Sequence, residues 1–462
     1  MRGTPDLTRP QLFLDDRGIE ETVRVQRRWF SPRKYPEPVL VAEQDWESHC
    51  PVLYGSVLRR EGRFQMWYCG WTRHIPPRVC YAESDDGVRW EKPQLDLHET
   101  PGNGPNNILL TSDYEGGLID DLTVIDDAEE GDWPLKMLYW DSGSPSGPME
   151  EQRGIYAARS RDGICWESLG RVLPGWGDRF NAVSHRVDGR FVVLGRAPGG
   201  SPHGRAVFRT ESEDLTHWSD PELVLTADAE DPPLMEIYSA MAYPHSEDLL
   251  LGTIERMHMS PDVLDPELIW SRDGGRSWMR SRTREAFIPR GERRSFDRTW
   301  VNLAASAPIR VHDRLWFYYS GRTGAHKAPY PHNHGAIGLA TLRREGYCAL
   351  HAAEMPGSVR TAPLTWPGGD LVVNADPRRN PASHPHNITR GEVRAEALGE
   401  NGSAIEGYEA DSCRPVTVNR QRSTIRWEED RTLDALKGQR IRLRFVLRDA
   451  YLFSWAADTR EK

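Results

Sequence analysis

The sequence predicts an all-β fold, a five-bladed β-propeller followed by a C-terminal β-sandwich. Three observations predict it: a serine–acidic–glycine–tryptophan turn recurs along the chain, a hairpin pattern precedes each copy, and amphipathic helical patterns are almost missing. The repeat ends near residue 355, and strand patterns of another kind follow. We therefore expect an N-terminal arm over residues 1–45, a propeller over 46–354 and a sandwich over 355–462.

The recurring turn marks the repeat. It begins at Ser84 as "SDDGVRW", at Ser160 as "SRDGICW" and at Ser271 as "SRDGGRSW". A degenerate copy begins at Ser212 as "SEDLTHW", and a weaker one begins at Thr341 as "TLRREGY". Glycine permits the positive φ of a tight turn, and aspartate is among the preferred turn residues. The pattern predicts a turn between the third and fourth strands of each blade, with the tryptophan packed between neighbouring sheets.

A pair of apolar runs around a polar turn precedes each copy. Examples are "YGSVLRREGRFQMWY" in the first unit and "NAVSHRVDGRFVVLG" in the third. Short period-2 runs around a turn rich in Gly, Asp or Glu are typical of β-hairpins. A third strand before the recurring turn and a fourth after it give four antiparallel strands per unit. Radial repetition of such four-stranded sheets forms a propeller.

The segments after residue 355 have a different character. Strand-like stretches such as "STIRWEED" and "QRIRLRFVLRDAYLFSW" are separated by turns rich in Gly, Asn and Asp. This organisation favours an antiparallel sandwich of the size of one small domain.

Composition limits the class of protein and of partner. Hydrophobic residues make up 38% and charged residues 28% of 462 residues, as in a soluble globular protein, and no apolar run reaches the roughly 20 residues of a membrane helix. The N-terminal "MRGTPDLTRP" does not resemble a signal peptide. A net charge of −10 argues against nucleic acid or an anionic membrane as a general partner. The six cysteines form no CxxC pair, which favours free thiols and a cytoplasmic location, and the oligomeric state stays open.

Propeller topology brings particular side chains together. The N-terminal ends of the innermost strands and the C-terminal ends of the second strands meet on one face, where they surround a concave funnel. Each predicted blade supplies carboxylates before its innermost strand: Glu47, Asp120 and Asp121, Asp178, Glu236, and Asp297. The second strands are followed by aromatic and basic residues: Trp71, Arg196, Arg256, His258, Arg322 and His326. We expect this set to bind a substrate.

These residue types suit the chemistry of sugars. Clustered carboxylates raise one another's pKa and nearby arginines lower it, so one site can hold an acid and a base. Two carboxylates across a sugar are what glycoside hydrolysis needs. The sequence has no GxSxG elbow, HExxH motif or phosphate loop. The spacing of His326, His332 and His334 fits no standard zinc pattern, so we expect neither a metal nor a cofactor.

A five-bladed propeller with a carboxylate-lined funnel and a trailing sandwich resembles the glycosidases of families 32 and 43, the invertase, levanase, arabinanase and xylosidase group. Residues 391–455, from "GEVRAEALGENGSAIEGYEADSC" to "LRFVLRDAYLFSW", resemble the C-terminal sandwich of family 32, and the "SxDGxxW" turns resemble those of family-32-like bacterial proteins. The resemblance implies a glycoside hydrolase, or a transglycosylase, acting on a furanoside or small oligosaccharide. The invertase nucleophile and acid motifs have no counterpart here, so roles follow from blade position. Asp121 corresponds to the transition-state-stabilising aspartate, Glu236 is the acid candidate, and Asp178 is the base or nucleophile.

Two other interpretations stay open. The turn at Ser271 matches the sialidase Asp box, and Arg196, Arg256 and Arg322 suit a substrate carboxylate, although sialidases have six blades. A propeller that binds carbohydrate without catalysis is the third interpretation. In that case every funnel acid is expected to be ionised and paired with an arginine.

Overall fold

The structure, a computed structural model, describes residues 6–72, 75–99, 104–127, 131–202, 204–326, 328, 332–377 and 391–460. Nearly all regular structure in these residues is β-strand, which confirms the predicted all-β class. No helix in the described ranges has the length and apolar character of a membrane span. The helical segments are short: Asp45–Glu47, Met149–Gln152, Glu428–Asp430 and Leu433–Leu436.

The chain divides into two compact units. The larger comprises Ser31–Val311 and Leu315–Thr341, and the smaller comprises Met1–Phe30, His312–Arg314 and Leu342–Lys462. Four short strands precede the first blade: β1 (Gln11–Leu12), β2 (Ile19–Val23), β3 (Gln26–Trp29) and β4 (Arg33–Lys34). The first three pair with strands of the smaller unit, and β4 pairs with the last strand of the propeller. The residues of the predicted N-terminal arm therefore contribute strands to both units.

The first three blades are separate four-stranded antiparallel sheets with strands in chain order. Blade one consists of β5 (Cys50–Arg60), β6 (Arg63–Trp71), β7 (Arg78–Ser84) and β8 (Ile108–Leu110). Blade two consists of β9 (Ile119–Asp126), β10 (Leu135–Asp141), β11 (Gly154–Ser160) and β12 (Trp166–Pro174). Blade three consists of β13 (Phe180–Ala182), β14 (Phe191–Gly195), β15 (Val207–Ser212) and β16 (Glu222–Leu225).

The last two blades are joined by one parallel bridge, between Leu264 and Trp300. Blade four consists of β17 (Met235–Ser246), β18 (Leu249–His258), β19 (Val263–Ser271) and β20 (Met279–Arg280). Blade five contains β21 (Trp300–Leu303), β22 (Ile309–Val311), β23 (Arg314–Arg322) and β24 (Gly335–Arg343).

The outer strand of blade five comes from the N-terminal side of the propeller. The turn pattern at Thr341 predicts an outer strand directly after it, and this prediction is wrong. Instead β4 pairs with β24, where Arg33 lies opposite Thr341 and Lys34 opposite Ala340. The last blade is thus built from both ends of the propeller sequence, which fastens the ring of blades.

The innermost strands form a closed ring of five. Each lies beside the next one, as expected for five blades around one axis. Contacts between neighbours are Val124 N to Ser56 Oγ at 2.9 Å, Ala182 N to Thr123 Oγ1 at 3.1 Å, Asn181 Nδ2 to Ala240 O at 2.9 Å, the Tyr238 and Trp300 rings at 5.4 Å, and Ala305 N to Gly55 O at 2.7 Å.

The recurring turns are held by their own side chains. Ser84 Oγ accepts from the Gly87 N–H at 2.8 Å. Asp86 Oδ1 accepts from the N–H groups of Val88 and Arg89, each at 2.8 Å. Gly87 has a φ of 74°, which glycine adopts without steric cost.

The same turns connect adjacent blades. The Gly87 carbonyl accepts from Tyr318 Oη of blade five at 2.7 Å and from Trp90 Nε1 at 3.2 Å. The Gly163 carbonyl of blade two accepts from Trp67 Nε1 of blade one at 2.8 Å. The turns are therefore structural links between blades, as the repeat predicts.

The smaller unit contains two antiparallel sheets. Its remaining strands are β25 (Cys348–Ala352), β26 (Gly357–Thr361), β27 (Leu364–Thr365), β28 (Asp370–Pro377), β29 (Glu392–Leu398), β30 (Arg420–Thr424), β31 (Arg440–Arg448) and β32 (Ala450–Asp458). One sheet has the order β3-β25-β32-β28-β30 with β1 on β32, and the other has β2-β26-β31-β27 with β29 on β31. Phe445 and Trp455 meet between the sheets, with ring centroids 6.1 Å apart. Alternate residues of β31 are buried, as its period-2 sequence predicts.

Candidate functional site

Strand β9 begins with an irregular turn that carries two adjacent aspartates. The register between β9 and β10 shifts between Tyr139 and Asp141, opposite Asp120 and Asp121. Asp121 has a φ of 99°, a conformation that side-chain-bearing residues rarely adopt. Such strained residues persist only where their surroundings hold them, and they concentrate at functional sites.

Asp121 is fully buried on the propeller axis. Its Oδ2 accepts from Arg179 Nη1 at 2.6 Å and from the Phe180 N–H at 3.1 Å. Its Oδ1 has no hydrogen-bond partner among the described residues. Burial raises the pKa of Asp121 to about 7, although Arg179 acts in the opposite direction.

Arg179 joins blade three to three other blades. Its Nε and Nη2 donate to the two carboxylate oxygens of Glu255 in blade four, at 3.1 and 2.6 Å. Its guanidinium lies 4.0 Å from the ring centroid of Tyr54 in blade one, and it binds Asp121 of blade two. Arg179 and Glu255 are almost completely buried, so their ion pair is a bidentate contact shielded from water.

Asp120 differs from Asp121 in its partners. Its Oδ1 is buried without a hydrogen-bond partner among the described residues, while part of the residue is exposed. Burial raises the pKa of Asp120 well above its usual range, and the negative charges of Asp178 and Asp121 raise it further. The cations Arg322 and Arg179 only partly offset this. Asp120 therefore keeps its proton to a higher pH than an ordinary aspartate does.

Asp178 faces the same funnel in a wetter environment. Its side chain is 48% exposed and accepts from Arg196 Nη1 at 2.8 Å. Arg196 is itself held, because its Nη2 donates to the Tyr238 carbonyl at 2.9 Å and its guanidinium lies over the Tyr238 ring. The funnel thus holds one shielded carboxyl group and one exposed, ion-paired carboxylate.

Arg322 reaches the funnel from blade five. It is 2% exposed, and aromatic rings of three residues surround its guanidinium at 4.8 to 5.5 Å: Tyr54, Trp71 and Trp300. Its Nη2 donates to Tyr54 Oη at 3.0 Å. Within the part of the chain that the structure describes, no carboxylate forms a salt bridge with Arg322 and its Nε has no partner.

An aromatic wall continues beyond Arg322. The His326 ring stacks on Trp300 with a centroid separation of 5.0 Å and an interplanar angle of 19°. Tyr238 Oη lies 3.3 Å from His326 Nε2. Aromatic faces of this kind suit the apolar face of a sugar ring or another planar group.

Several buried polar atoms of the funnel have no hydrogen-bond partner among the described residues. Buried polar groups are nearly always hydrogen-bonded, so those atoms that a ligand can reach are available to its polar groups. The atoms that lack a partner among the described residues include Trp71 Nε1, Asp120 Oδ1, Asp121 Oδ1, Arg196 Nε, Trp300 Nε1 and Arg322 Nε.

Glu236, the acid expected from blade position, lies at the rim. It accepts from Arg205 Nη1 at 2.5 Å, and the side chain is 23% exposed. Arg205 lies 5.5 Å from the ring centroid of Tyr238, which places this ion pair beside the funnel.

Two other predicted acids form ion pairs and hydrogen bonds with other side chains of the protein. Glu47 is completely buried, accepts from Tyr68 Oη at 2.8 Å and is paired with Lys92. Asp297 is 1% exposed, accepts from Tyr319 Oη at 3.1 Å and is paired with Lys34.

Two predicted basic residues belong to a separate network in blade four. Arg256 Nε donates to Asp265 Oδ1 at 3.0 Å, and His258 Nε2 lies 3.5 Å from the same oxygen. Arg290 also pairs with Asp265. The structure therefore brings together Trp71, Asp120, Asp121, Asp178, Arg196, Arg322 and His326, with Glu236 beside them.

The sequence did not single out five residues of this site. Arg179 follows the predicted Asp178, and Glu255 precedes the predicted Arg256, so a strand register shifted by one residue identifies both. Tyr54, Tyr238 and Trp300 lie on innermost strands, and the strand pattern offers no signal that separates them from core aromatics.

Comparisons with known proteins assign the chain to no family. No model of a known protein family matches the chain. Two uncharacterized proteins of Mycobacterium tuberculosis are 30% and 29% identical to it over 126 residues. Each match covers 26% of this chain and only 35% of the relative's length.

Three of the solved structures that align with the chain are described as enzymes of carbohydrate chemistry. A β-1,2-mannobiose phosphorylase from Listeria innocua is 14% identical with a TM-score of 0.49, covering 68% of this chain and 97% of that one. An N-acetylgalactosamine deacetylase from F. plautii has the same identity and TM-score, with 69% and 96% covered. A glycosyl hydrolase from Bacteroides ovatus is 15% identical with a TM-score of 0.47, with 69% and 95% covered.

Proposed function

We propose that this chain is a glycoside hydrolase acting on a furanoside or small oligosaccharide through two carboxyl groups of the propeller funnel. Asp120 protonates the leaving oxygen, and Asp178 acts as the nucleophile or as the base that activates water. The observation that carries the proposal is the contrast between them. Asp120 is shielded, has no ion-pair partner among the described residues and has a raised pKa, whereas Asp178 is 48% exposed and paired with Arg196. Environments that separate two carboxyl groups in this way provide an acid and a base in one site.

The surroundings of the pair suit a sugar. Trp71, Tyr238 and His326 offer aromatic faces, and the funnel's polar atoms that lack a partner among the described residues suit hydroxyl groups. Glu236, held by Arg205 at the rim, is suited to contact a more distant part of the substrate. We extend the proposal to a mechanism of the kind found in families 32 and 43. The distance between the carboxyl groups of Asp120 and Asp178 predicts whether hydrolysis retains or inverts the anomeric configuration. About 5 Å predicts retention and about 6.5–9.5 Å predicts inversion of the anomeric centre.

A carbohydrate-binding propeller without catalysis is less well supported. That function predicts funnel acids that are all ionised and paired with arginines. Asp121 and Asp178 do have arginine partners. Asp120 has none within the described residues, and its raised pKa favours the protonated form that an acid catalyst requires.

Arg322 favours a second candidate, a sialidase-like hydrolase of an anionic sugar. A buried cation without a carboxylate partner is costly, and an acidic group on a substrate would compensate it. Among the described residues no carboxylate forms a salt bridge with Arg322, whereas Arg179 has two. Matched substrates with and without a carboxylate separate the two candidates.

The test is a panel of aryl furanosides, aryl pyranosides, aryl uronides and small oligosaccharides. We expect hydrolysis of at least one member, and a loss of about 100-fold or more in Asp120→Asn and in Asp178→Asn. Asp86→Ala is the matched control, because Asp86 is an aspartate of a blade turn and lies outside the funnel. A panel without turnover, or full activity in Asp120→Asn, contradicts the proposal. Preference for the uronide over its neutral analogue, lost in Arg322→Met, favours the second candidate.

A further inference from the structure

The two aspartates at the start of β9 depart from the usual alternation of side chains along a strand. Neighbouring side chains of a regular strand point to opposite faces of the sheet. Here Asp121 binds Arg179 on the axis, and the register shift sets Asp120 and Asp121 together opposite Trp140, as in a β-bulge that re-aims a side chain. Both side chains therefore face the funnel region. The φ of 99° at Asp121 and the register shift opposite it account for this arrangement.

The turned backbone needs a compensating interaction. A residue with a side chain is strained in such a conformation, and the surrounding structure must compensate the strain. The side chain of Asp121 has two charge-assisted or backbone donors, Arg179 Nη1 at 2.6 Å and the Phe180 N–H at 3.1 Å. These short contacts hold the carboxylate on the axis and so keep the backbone turned.

Contacts with residues other than Asp121 hold the Arg179 side chain in place. Arg179 donates two hydrogen bonds to the Glu255 carboxylate, at 3.1 and 2.6 Å between heavy atoms, and these set the plane of the guanidinium. The Tyr54 ring covers one of its faces at 4.0 Å. Arg179 therefore has little freedom to follow Asp121 if the backbone relaxes.

We infer that Asp121 is a positioning residue: its side chain, held by Arg179 and Glu255, fixes the turned backbone that directs Asp120 into the funnel. The inference rests on the proposed function, since the direction of Asp120 matters for cleavage of a glycoside. It assigns Asp121 a role without substrate contact, in keeping with its complete burial. The titratable and charged groups around the two aspartates are Cys50, Cys69, Asp178, Arg179, Glu255 and Arg322.

Two substitutions separate the anchor from the backbone strain. Asp121→Gly relieves the strain, since glycine adopts a φ of 99° freely, but it removes the anchor. Asp121→Asn keeps an oxygen that can accept from Arg179 and removes only the charge. Asp127→Asn is the matched control, because Asp127 follows the other end of β9 and is a buried partner of Arg186 at 2.9 Å.

Activity provides the first measurement. We expect kcat/KM to fall about 100-fold in Asp121→Gly, the size of effect that a misplaced catalytic group produces, and less in Asp121→Asn. Asp127→Asn is expected to stay within about twofold of the wild type, because Asp127 pairs with Arg186 at the opposite end of β9 and distant sites without shared partners couple weakly. Wild-type activity in Asp121→Gly overturns the inference, because strain relief without the anchor would then suffice.

The titration of Asp120 provides a measurement that needs no turnover. Carboxyl carbon NMR of protein labelled at aspartate, with Asp120→Asn for assignment, reports its pKa in each variant. Asp121→Asn lowers this pKa by removing a neighbouring charge, and Asp121→Gly is expected to lower it further because Asp120 also leaves its shielded position. Equal shifts in the two variants overturn the inference. A wild type that hydrolyses no glycoside but shows unequal shifts refutes the proposed function alone.

Discussion

Replacement of Arg179 by methionine is the most demanding test of the charged cluster at the propeller axis. The substitution keeps an unbranched apolar side chain and removes the cation that binds both Asp121 and Glu255. Asp121 and Glu255 are 0% and 3% exposed, so both carboxylates are shielded from bulk water in the folded protein. Asp121 retains one donor, the Phe180 N–H, whereas both oxygens of Glu255 lose the Arg179 contacts at 2.6 and 3.1 Å.

The expected loss follows from this geometry. Breaking a buried ion pair by removing one partner costs about 3–5 kcal/mol, since an uncompensated charge stays behind. We therefore expect the free energy of unfolding to fall by about 3–5 kcal/mol at pH 7.5. The loss is smaller at pH 5.5, because stranded carboxylates take up protons and become neutral. Adding Glu255→Gln to Arg179→Met should restore part of the loss for the same reason.

Urea unfolding followed by tryptophan fluorescence measures this effect. The control is Arg63→Met, which removes an exposed ion pair with Glu83 and is expected to change stability little. A loss below about 1 kcal/mol in Arg179→Met, with no dependence on pH, refutes the account of a shielded charge cluster.

Three further predictions concern the turns and the titrating groups. Gly163→Ala places a Cβ 2.7 Å from Trp67 Cζ2 at a φ of 85°, so we expect the free energy of unfolding in urea to fall by about 2–3 kcal/mol. Gly170→Ala has a similar φ of 87° but open space around the Cβ, so we expect a fall of about 1 kcal/mol. Asp86→Ala removes the acceptor of two backbone N–H groups and is expected to cost about 1 kcal/mol of stability without changing kcat/KM. Burial raises the pKa of Asp121 from 3.8 to about 7, so the folded state binds more protons than the unfolded state between these values, and stability falls as the pH rises through this window. Asp121→Asn should flatten that slope in unfolding experiments, and an unchanged slope contradicts the assignment.

The position of the blades is predictable because the turn is a local structure. Serine, aspartate and glycine of "SDDGVRW" bind one another's backbone groups within a few residues, so the pattern in the sequence reports the geometry directly. Topology then predicts which strand ends meet on the axis, and Asp120, Asp121 and Asp178 do meet there. The outer strand of blade five was not predictable in this way. A two-residue strand such as β4 has no periodic pattern.

The parts of the site that the sequence missed have a common physical cause. Side chains alternate along a strand, so a register error of one residue exchanges the face toward the axis for the opposite one. Arg256 was predicted for the funnel, yet Arg256 binds Asp265 and its neighbour Glu255 meets Arg179. The bulge at Asp121 depends on contacts with Arg179, which lies on another blade, so no local sequence pattern predicts it.

A crystal structure of Asp120→Asn with its bound glycoside tests the central claim most directly. The substitution stops proton transfer and keeps the shape of the site, so an intact substrate is expected in the funnel. We predict that the glycosidic oxygen lies about 2.6–3.2 Å from the side chain of residue 120, within reach of a proton donor. Asp178 should then face the anomeric carbon directly or through one water molecule. A sugar bound outside the funnel, or one whose glycosidic oxygen lies beside Glu236 and away from residue 120, contradicts the account.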